Sequence, residues 1–367
     1  MKDQRKFIHF HCFVFLFIIY PFTLSSTEYL TIGGEKHGWE VSVHPDRGTI
    51  KQFRQLMGDV WETIPFRDDS LAGPAWSGMQ LCPSKKQLYV FEAHQGDIYY
   101  TLRYKAAYDH LIVECTISNR GDDVFRPEYS RLFIGVDSEM KTYPDWDTKF
   151  FPTLLRCEKD FAWGYFMSPR QVIMGIGIEE PVASYTLNYV YEGSMEWKWG
   201  HQIKTGSLDL LHCLPLPERH PQNNISLKPH ETRKWTLHLG VVDRLAGVKE
   251  KLSQWIQAPM IECEKYTMAG HETSRLLIHS QSGLEKLIVK APDGTQSVLP
   301  VDGVADNVYS ALFSPSSQKG LYRITATAIN GKTAEAGIYI RNPWSWYMKN
   351  ARDFVARNPP LFSNGCE

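Results

Sequence analysis

Apolar and polar residues alternate with few interruptions from Tyr29 to Val242, and no other feature constrains the fold of this chain as strongly. Successive side chains of a strand point to opposite faces, so a period of two marks strands with one buried and one solvated face. Trp39-Val41-Val43, Leu102-Tyr104, Leu111 to Ile117, Val172-Met174-Ile176-Ile178 and Trp235-Leu237-Leu239-Val241 show it clearly. Pro45-Asp46-Arg47-Gly48, Gln95-Gly96-Asp97 and Asn119-Arg120-Gly121-Asp122 stand between such runs and supply turn chemistry. Roughly 200 residues of this kind with little helical pattern predict a large antiparallel sandwich, since a parallel sheet would need crossover helices.

The pattern then changes. Leu245, Val248, Leu252 and Trp255 recur at helical spacing, which predicts a helix over Asp243 to Ala258, with Asp243 as N-cap and Pro259 as its stop. Short strands follow at Leu276–His279, Lys286–Lys290, Tyr309–Phe313, Leu321–Ala328 and Glu335–Ile340. Pro292-Asp293-Gly294 and Asn330-Gly331 read as turns between them. That is the scale of an immunoglobulin-like sandwich. Asn342-Pro343 then reads as a helix start, and Tyr347, Ala351, Phe354 and Val355 share one helical face. The expected class is all-β: a large antiparallel β-supersandwich over 27–258, a smaller Ig-like β-sandwich over 259–341, and a helical stub over 342–367.

The first 26 residues read as a secretory signal peptide. Lys2, Arg5 and Lys6 precede an apolar run from Phe7 to Tyr20, Pro21 breaks it, and Ser25-Ser26 offers a cleavage site. The run is short for a membrane span, although an uncleaved anchor is the alternative. A secreted or periplasmic chain with no membrane span in its mature part is expected. The six remaining cysteines are scattered without a CxxC pair, and Cys115 shares the inward parity of Leu111, Val113 and Ile117. No metal site or cofactor is expected. A formal net charge of −1 argues against a nucleic-acid partner.

Aromatic residues reach 13%, with 11 Trp and 18 Tyr. Most belong in sandwich cores, but two clusters suit sugar stacking beside planar hydrogen-bonding groups. One is Asp145, Trp146 and Asp147; the other is Glu196, Trp197, Trp199 and His201. Trp197 and Trp199 would share a face of a strand. Arg126, Arg131 and Arg170 could meet an acidic sugar's carboxylate, and His212, Glu218 and His220, at the proline-rich loop Leu214 to Pro221, could line the same rim. His230-Glu231 and His271-Glu272 begin like zinc motifs but lack the second histidine. Acid–base catalysis within the sandwich would draw on His110, His201 or His212, and the sequence sets no carboxylate beside them.

Two stretches carry a family resemblance. Ile117-Ser118-Asn119-Arg120-Gly121-Asp122-Asp123, with Pro127 and Leu132-Phe133-Ile134-Gly135-Val136-Asp137, is one. Leu227 to Leu237 is the other. Together they resemble the galactose-mutarotase-like supersandwich of secreted polysaccharide-degrading enzymes of Bacteroidota type, which packs against an (α/α) toroid bearing the chemistry. Residues 342–367 resemble the entry into that toroid. The resemblance implies the non-catalytic β-sandwich portion of a glycoside hydrolase or polysaccharide lyase, truncated before its catalytic part, with a poly- or oligosaccharide as partner. No catalytic residue carries over. The alternative is a complete secreted carbohydrate-binding or cell-surface protein.

Overall fold

The computed structural model describes residues 28–64, 71, 76–83, 85–134, 151–167, 172–191, 201–212, 223–316 and 318–358, with backbone alone at 151–154, 186–191 and 201–205. The expected signal segment lies outside these residues. Among the described residues, fifteen strands build the first part: β1 (Leu30–Gly34), β2 (Trp39–Val43), β3 (Ile50–Met57), β4 (Val60–Ile64), β5 (Gln80–Leu81), β6 (Leu88–Gln95), β7 (Ile98–Ala106), β8 (Leu111–Asn119), β9 (Tyr129–Ile134), β10 (Phe151–Cys157), β11 (Ala162–Met167), β12 (Ile173–Ile178), β13 (Ser184–Tyr191), β14 (His201–His212) and β15 (Thr232–Val242).

They form three sheets, ordered β1-β2-β3-β4, β10-β11-β12-β15-β8-β7-β6-β5 and β13-β14-β9. All three contribute to one continuous core, including Trp39, Phe53, Phe91, Tyr104, Leu132, Leu208 and Trp235. In β8 the alternation is strict: Leu111, Val113, Cys115 and Ile117 are buried, and the residues between them are half-exposed. Two buried aromatics set their polar atoms against backbone carbonyls. Tyr104 donates to the Gly48 carbonyl at 2.5 Å, and Trp235 Nε1 donates to the Pro181 carbonyl at 3.0 Å.

β12 is buried on both faces, not one as its alternation suggests, and so is most of β15. Met174, Ile176 and Ile178 enter the first core. The opposite parity carries Gly175 and Gly177, and α1 (Val248–Ile256) lies against it. A Cβ on Gly177 would stand 2.5 Å from Ile256, and one on Gly240 would stand 2.8 Å from both Trp255 and His110. Three residues without side chains make a flat pad on which the helix can rest.

The helix is shorter than the sequence predicts. A 3-10 turn at Leu245–Gly247 precedes it, and Gly247, not Asp243, holds the N-cap position without a side-chain bond. α-Helical geometry begins at Val248, the first buried residue of the helix, where the chain reaches the pad. Gln257, at φ 51°, closes it.

Nine strands follow: β16 (Met260–Cys263), β17 (Thr267–Ala269), β18 (Ser274–His279), β19 (Leu284–Lys290), β20 (Gln296–Val298), β21 (Gly303–Ala305), β22 (Val308–Phe313), β23 (Gly320–Ala328) and β24 (Thr333–Arg341). They pair as β16-β18-β22-β21 and β17-β24-β23-β19-β20, with β17 parallel to β24. Their core, including Leu276, Phe313, Tyr322, Ile324 and Ile338, is continuous with α1 and with Trp163 of β11. Polar clamps add to it. Asp160 accepts from the Thr333 amide at 2.9 Å and its hydroxyl at 2.6 Å. Lys332 donates to the Ile256 carbonyl at 2.9 Å, and Arg156 donates to the Glu335 carbonyl.

α2 (Trp344–Arg357) ends the described chain and buries none of its residues. Pro343 occupies its N-cap, and the Asn342 side chain accepts from Lys319 instead of capping the helix.

Candidate functional site

The three-stranded sheet β13-β14-β9 presents a polar, aromatic outer face. On β9, Ser130, Leu132 and Ile134 point into the core, which turns Tyr129 and Arg131 outward. On β14, strict alternation would put Asp209 and His212, three apart, on opposite faces. A bulge between Asp209 and Leu211 inserts one residue, so Asp209 pairs with Arg131 and His212 with Tyr129 on the same side.

Arg131 Nε donates to Asp209 Oδ1 at 2.6 Å, and Ser184 Oγ donates to Asp209 Oδ2 at 2.6 Å. Asp209 is almost fully buried, so these bonds compensate a carboxylate taken out of water. The Arg131 guanidinium lies 3.6 Å from the Tyr129 ring centre, and the His212 ring meets Tyr129 edge-on at 4.8 Å. A guanidinium held at Nε keeps two further nitrogens, a donor pair of the kind that binds carboxylates through paired hydrogen bonds.

Asp145, Trp146 and Asp147, and Glu196, Trp197 and Trp199, lie outside the described residues, and His201 is described by backbone only. Their attachment points are described. Ile134, which leads into 135–150, pairs with Gly206, and Tyr191 and His201, which bracket 192–200, pair five residues further along β14 in the same direction. Ile134, Tyr191 and His201 therefore lie toward one end of this sheet, and Tyr129 and His212 toward the other. Arg126 is exposed elsewhere, and Arg170 and His220 are not described.

A second constellation corrects the expectation that no carboxylate accompanies the sandwich histidines. Asp109 Oδ1 lies 2.7 Å from His110 Nδ1, His110 Nε2 lies 2.8 Å from His238 Nδ1, and His238 Nε2 lies 2.8 Å from Glu179 Oε1. Both imidazoles are buried. The His110 side chain hydrogen bond, with help from Lys251 at 2.5 Å, holds the Asp109 carboxyl far below its ordinary range. Burial lowers the His110 pKa; burial also pushes the Glu179 carboxyl up, but the bond from His238 together with the charges of His238, Lys332 and Lys234 brings it below its ordinary value. Asp109 stands next to His110 in the sequence, so half of this chain was visible there. His238 and Glu179 join it only through the pairing of β15 with β8 and β12.

Among the described residues, no group of three His, Cys, Asp or Glu side chains is arranged to hold a metal ion. His230 sits at φ 58° in a turn, and the Glu272 carboxylate accepts from the Ala269 amide at 2.6 Å, as turn residues do.

These observations define an all-β protein in which a large antiparallel β-sandwich, a second smaller sandwich and a C-terminal helix follow one another. No family model matches the chain, and no curated protein does. Among solved structures, a polysaccharide lyase is similar over 88% of this chain and 49% of its own, with TM-score 0.61 and 15% identity. The chain thus spans about half the length of that protein. A galactose mutarotase-like protein from Lactobacillus casei aligns with 59% of this chain and 100% of its own, at TM-score 0.33 and 10% identity. A galactose mutarotase related enzyme from Lactobacillus acidophilus aligns with 59% and 98%, at TM-score 0.30 and 8% identity. Among the described residues, no helix is long and apolar enough to cross a membrane.

Proposed function

We propose that this chain is the β-sandwich portion of an exported glycan-degrading enzyme of hydrolase or lyase type, supplying scaffold and carbohydrate contacts while a helical part carries the chemistry. In this reading residues 1–26 are an export signal, 27–258 the supersandwich, 259–341 an immunoglobulin-like sandwich and 342–367 the start of the helical part. The strand order of the second sandwich, in letters A-B-E-D against A′-G-F-C-C′, supports the immunoglobulin assignment.

The observation that carries the proposal is the state of α2. Trp344, Met348 and Phe354 are each about two-thirds exposed, at 67, 69 and 65%, and Trp346, Tyr347 and Val355 are exposed beside them. A helix that merely finished a binding protein would be expected to bury that face on the second sandwich. The likeness to a polysaccharide lyase about twice as long supports the same reading. The Tyr129–Arg131–Asp209–His212 face of the β13-β14-β9 sheet is the proposed glycan contact, and an acidic sugar suits its guanidinium.

The test is a polysaccharide panel incubated with the purified chain. Retarded migration in glycan-containing gels, without new reducing ends or unsaturated products, is expected. Turnover by the chain alone would overturn the proposal, as would coding sequence beyond Glu367 that lacks paired amphipathic helices.

A further inference from the structure

The hydrogen-bond chain Asp109–His110–His238–Glu179 has a proton count imposed by its geometry. It contains three contacts of 2.7 to 2.8 Å, and each needs one N–H between its two heavy atoms. Both ends are carboxylates held ionised, which can only accept. Two neutral imidazoles bring two protons, one too few. Two imidazolium rings bring four, and the fourth would set N–H against N–H at the 2.8 Å contact between the rings. Three protons satisfy every contact, so the two rings hold a single positive charge between them.

The chain also ties three parts of the fold together. At one end Asp109 is held by Lys251 of α1 at 2.5 Å, and Trp255 of α1 stacks on His110 at 4.6 Å between ring centres. At the other end Glu179 feels the charges of Lys234 on β15 and of Lys332 in the β23–β24 turn. Lys332 is itself bonded to the last turn of α1 and influenced by Glu179, Glu180 and Asp160. Glu180 accepts from the Thr236 amide at 2.6 Å and faces the same strand. Lys105, next to the row of Ile112 and His238, is engaged by Glu114 at 3.2 Å.

We propose that the His110–His238 pair, sharing one proton between two carboxylates, is a pH-sensitive lock on the junction between the large sheet, α1 and the second sandwich. While the two rings hold that single extra proton the lock is complete. In acid a second proton enters, N–H meets N–H between the rings, and that contact breaks while each ring keeps the bond to its own carboxylate. In alkali the shared proton leaves, and one nitrogen lone pair faces a lone pair at a distance that demands a hydrogen. Either change loosens α1, because His110 and Asp109 are among its contacts on the first sandwich. Such a lock would make the relative rigidity of the two sandwiches depend on the pH of an external medium.

Nitrogen-15 NMR of the histidine rings in the full chain, together with hydrogen exchange of the α1 amides across pH, tests it. At pH 7 the two rings are expected to show the nitrogen shifts of one cation and one neutral ring in total, and to titrate in two steps more than about 2 pH units apart. The amides of Leu252 to Ile256, corrected for intrinsic rate, are expected to exchange about tenfold faster outside the window between these two steps than within it. In His238→Gln the amide can donate to both neighbours without an extra proton, and the pH dependence of α1 exchange is expected to vanish. Two neutral rings at pH 7, both rings titrating together like free histidine, or pH-independent exchange of α1 in the unaltered chain would overturn the proposal. The ring measurement stands even where the variant does not fold.

Discussion

Gly175 of β12 lies directly opposite Gly240 of β15, and the Cβ atoms both lack leave the space that Trp255 and Leu252 of α1 occupy. A methyl group at Gly240 would meet the Trp255 ring and the His110 Cβ at 2.8 Å, and neither can move without leaving the core. Gly240→Ala is therefore expected to cost about 1–3 kcal/mol of unfolding free energy by overpacking. Gly270→Ala is the control, since its added carbon meets only Ile340 at 3.8 Å. Urea denaturation of the two variants checks the contrast, and equal losses would show that the pad is not close-packed.

Arg131 and Asp209 are expected to be coupled in stability as well as in binding. Arg131→Ala strands a buried carboxylate and should cost about 3–5 kcal/mol, whereas Arg131→Ala with Asp209→Asn together should cost clearly less than the two single changes summed. A double-mutant cycle by chemical denaturation measures the coupling. Arg131→Lys tests the ligand side: it keeps the charge, loses the planar fork, and is expected to weaken acidic-glycan retention several-fold.

Glu158 supplies a pH signature. It is buried, and burial raises its carboxyl pKa against the opposing pull of Arg156, whose Nε lies 2.5 Å away. A carboxyl whose folded pKa exceeds its unfolded one stabilises the fold below the unfolded value, and this contribution is lost as pH rises through the folded value. Glu158→Gln should thus be least favourable relative to the parent near pH 4 and gain on it as pH rises past the ordinary glutamate range. Thermal unfolding of both proteins from pH 4 to 7 checks the sign, and a relative loss with rising pH would contradict it.

The exposed face of α2 should contribute nothing to the stability of the two sandwiches. Phe354→Ser and Met348→Ser are expected to change the unfolding free energy by less than about 0.5 kcal/mol, the usual range for surface sites. The same changes should reduce binding of a hydrophobic dye and self-association in light scattering. A loss of several kcal/mol would mean that this face is packed in solution.

The all-β class was legible because alternation is local. Leu111 to Ile117 shows in seven residues which side chains face inward, and β8 carries it out. The longer strands of the second sandwich were legible for the same reason, as were the turns at Asn330-Gly331 and Pro292-Asp293-Gly294, where Gly331 and Gly294 take positive φ. β17, β20 and β21, three residues each, are too short to show a period. The candidate site was half legible: Arg131 and His212 stood out as residue types, but Asp209, inside the apolar run Leu208 to Leu211, looked like an interruption of a strand.

Sequence alone determined the order of the longer strands, their turns and the two helices, because each depends on side-chain alternation or turn chemistry within a few neighbours. Only the tertiary structure decided that β12 and β15 are covered on both faces, that a bulge turns Asp209 and His212 to one side, and that Asp109, His110, His238 and Glu179 form one chain. Each of these depends on the pairing of segments up to 128 residues apart, and strand register over that separation is set by the closing of the whole core, which no local window contains.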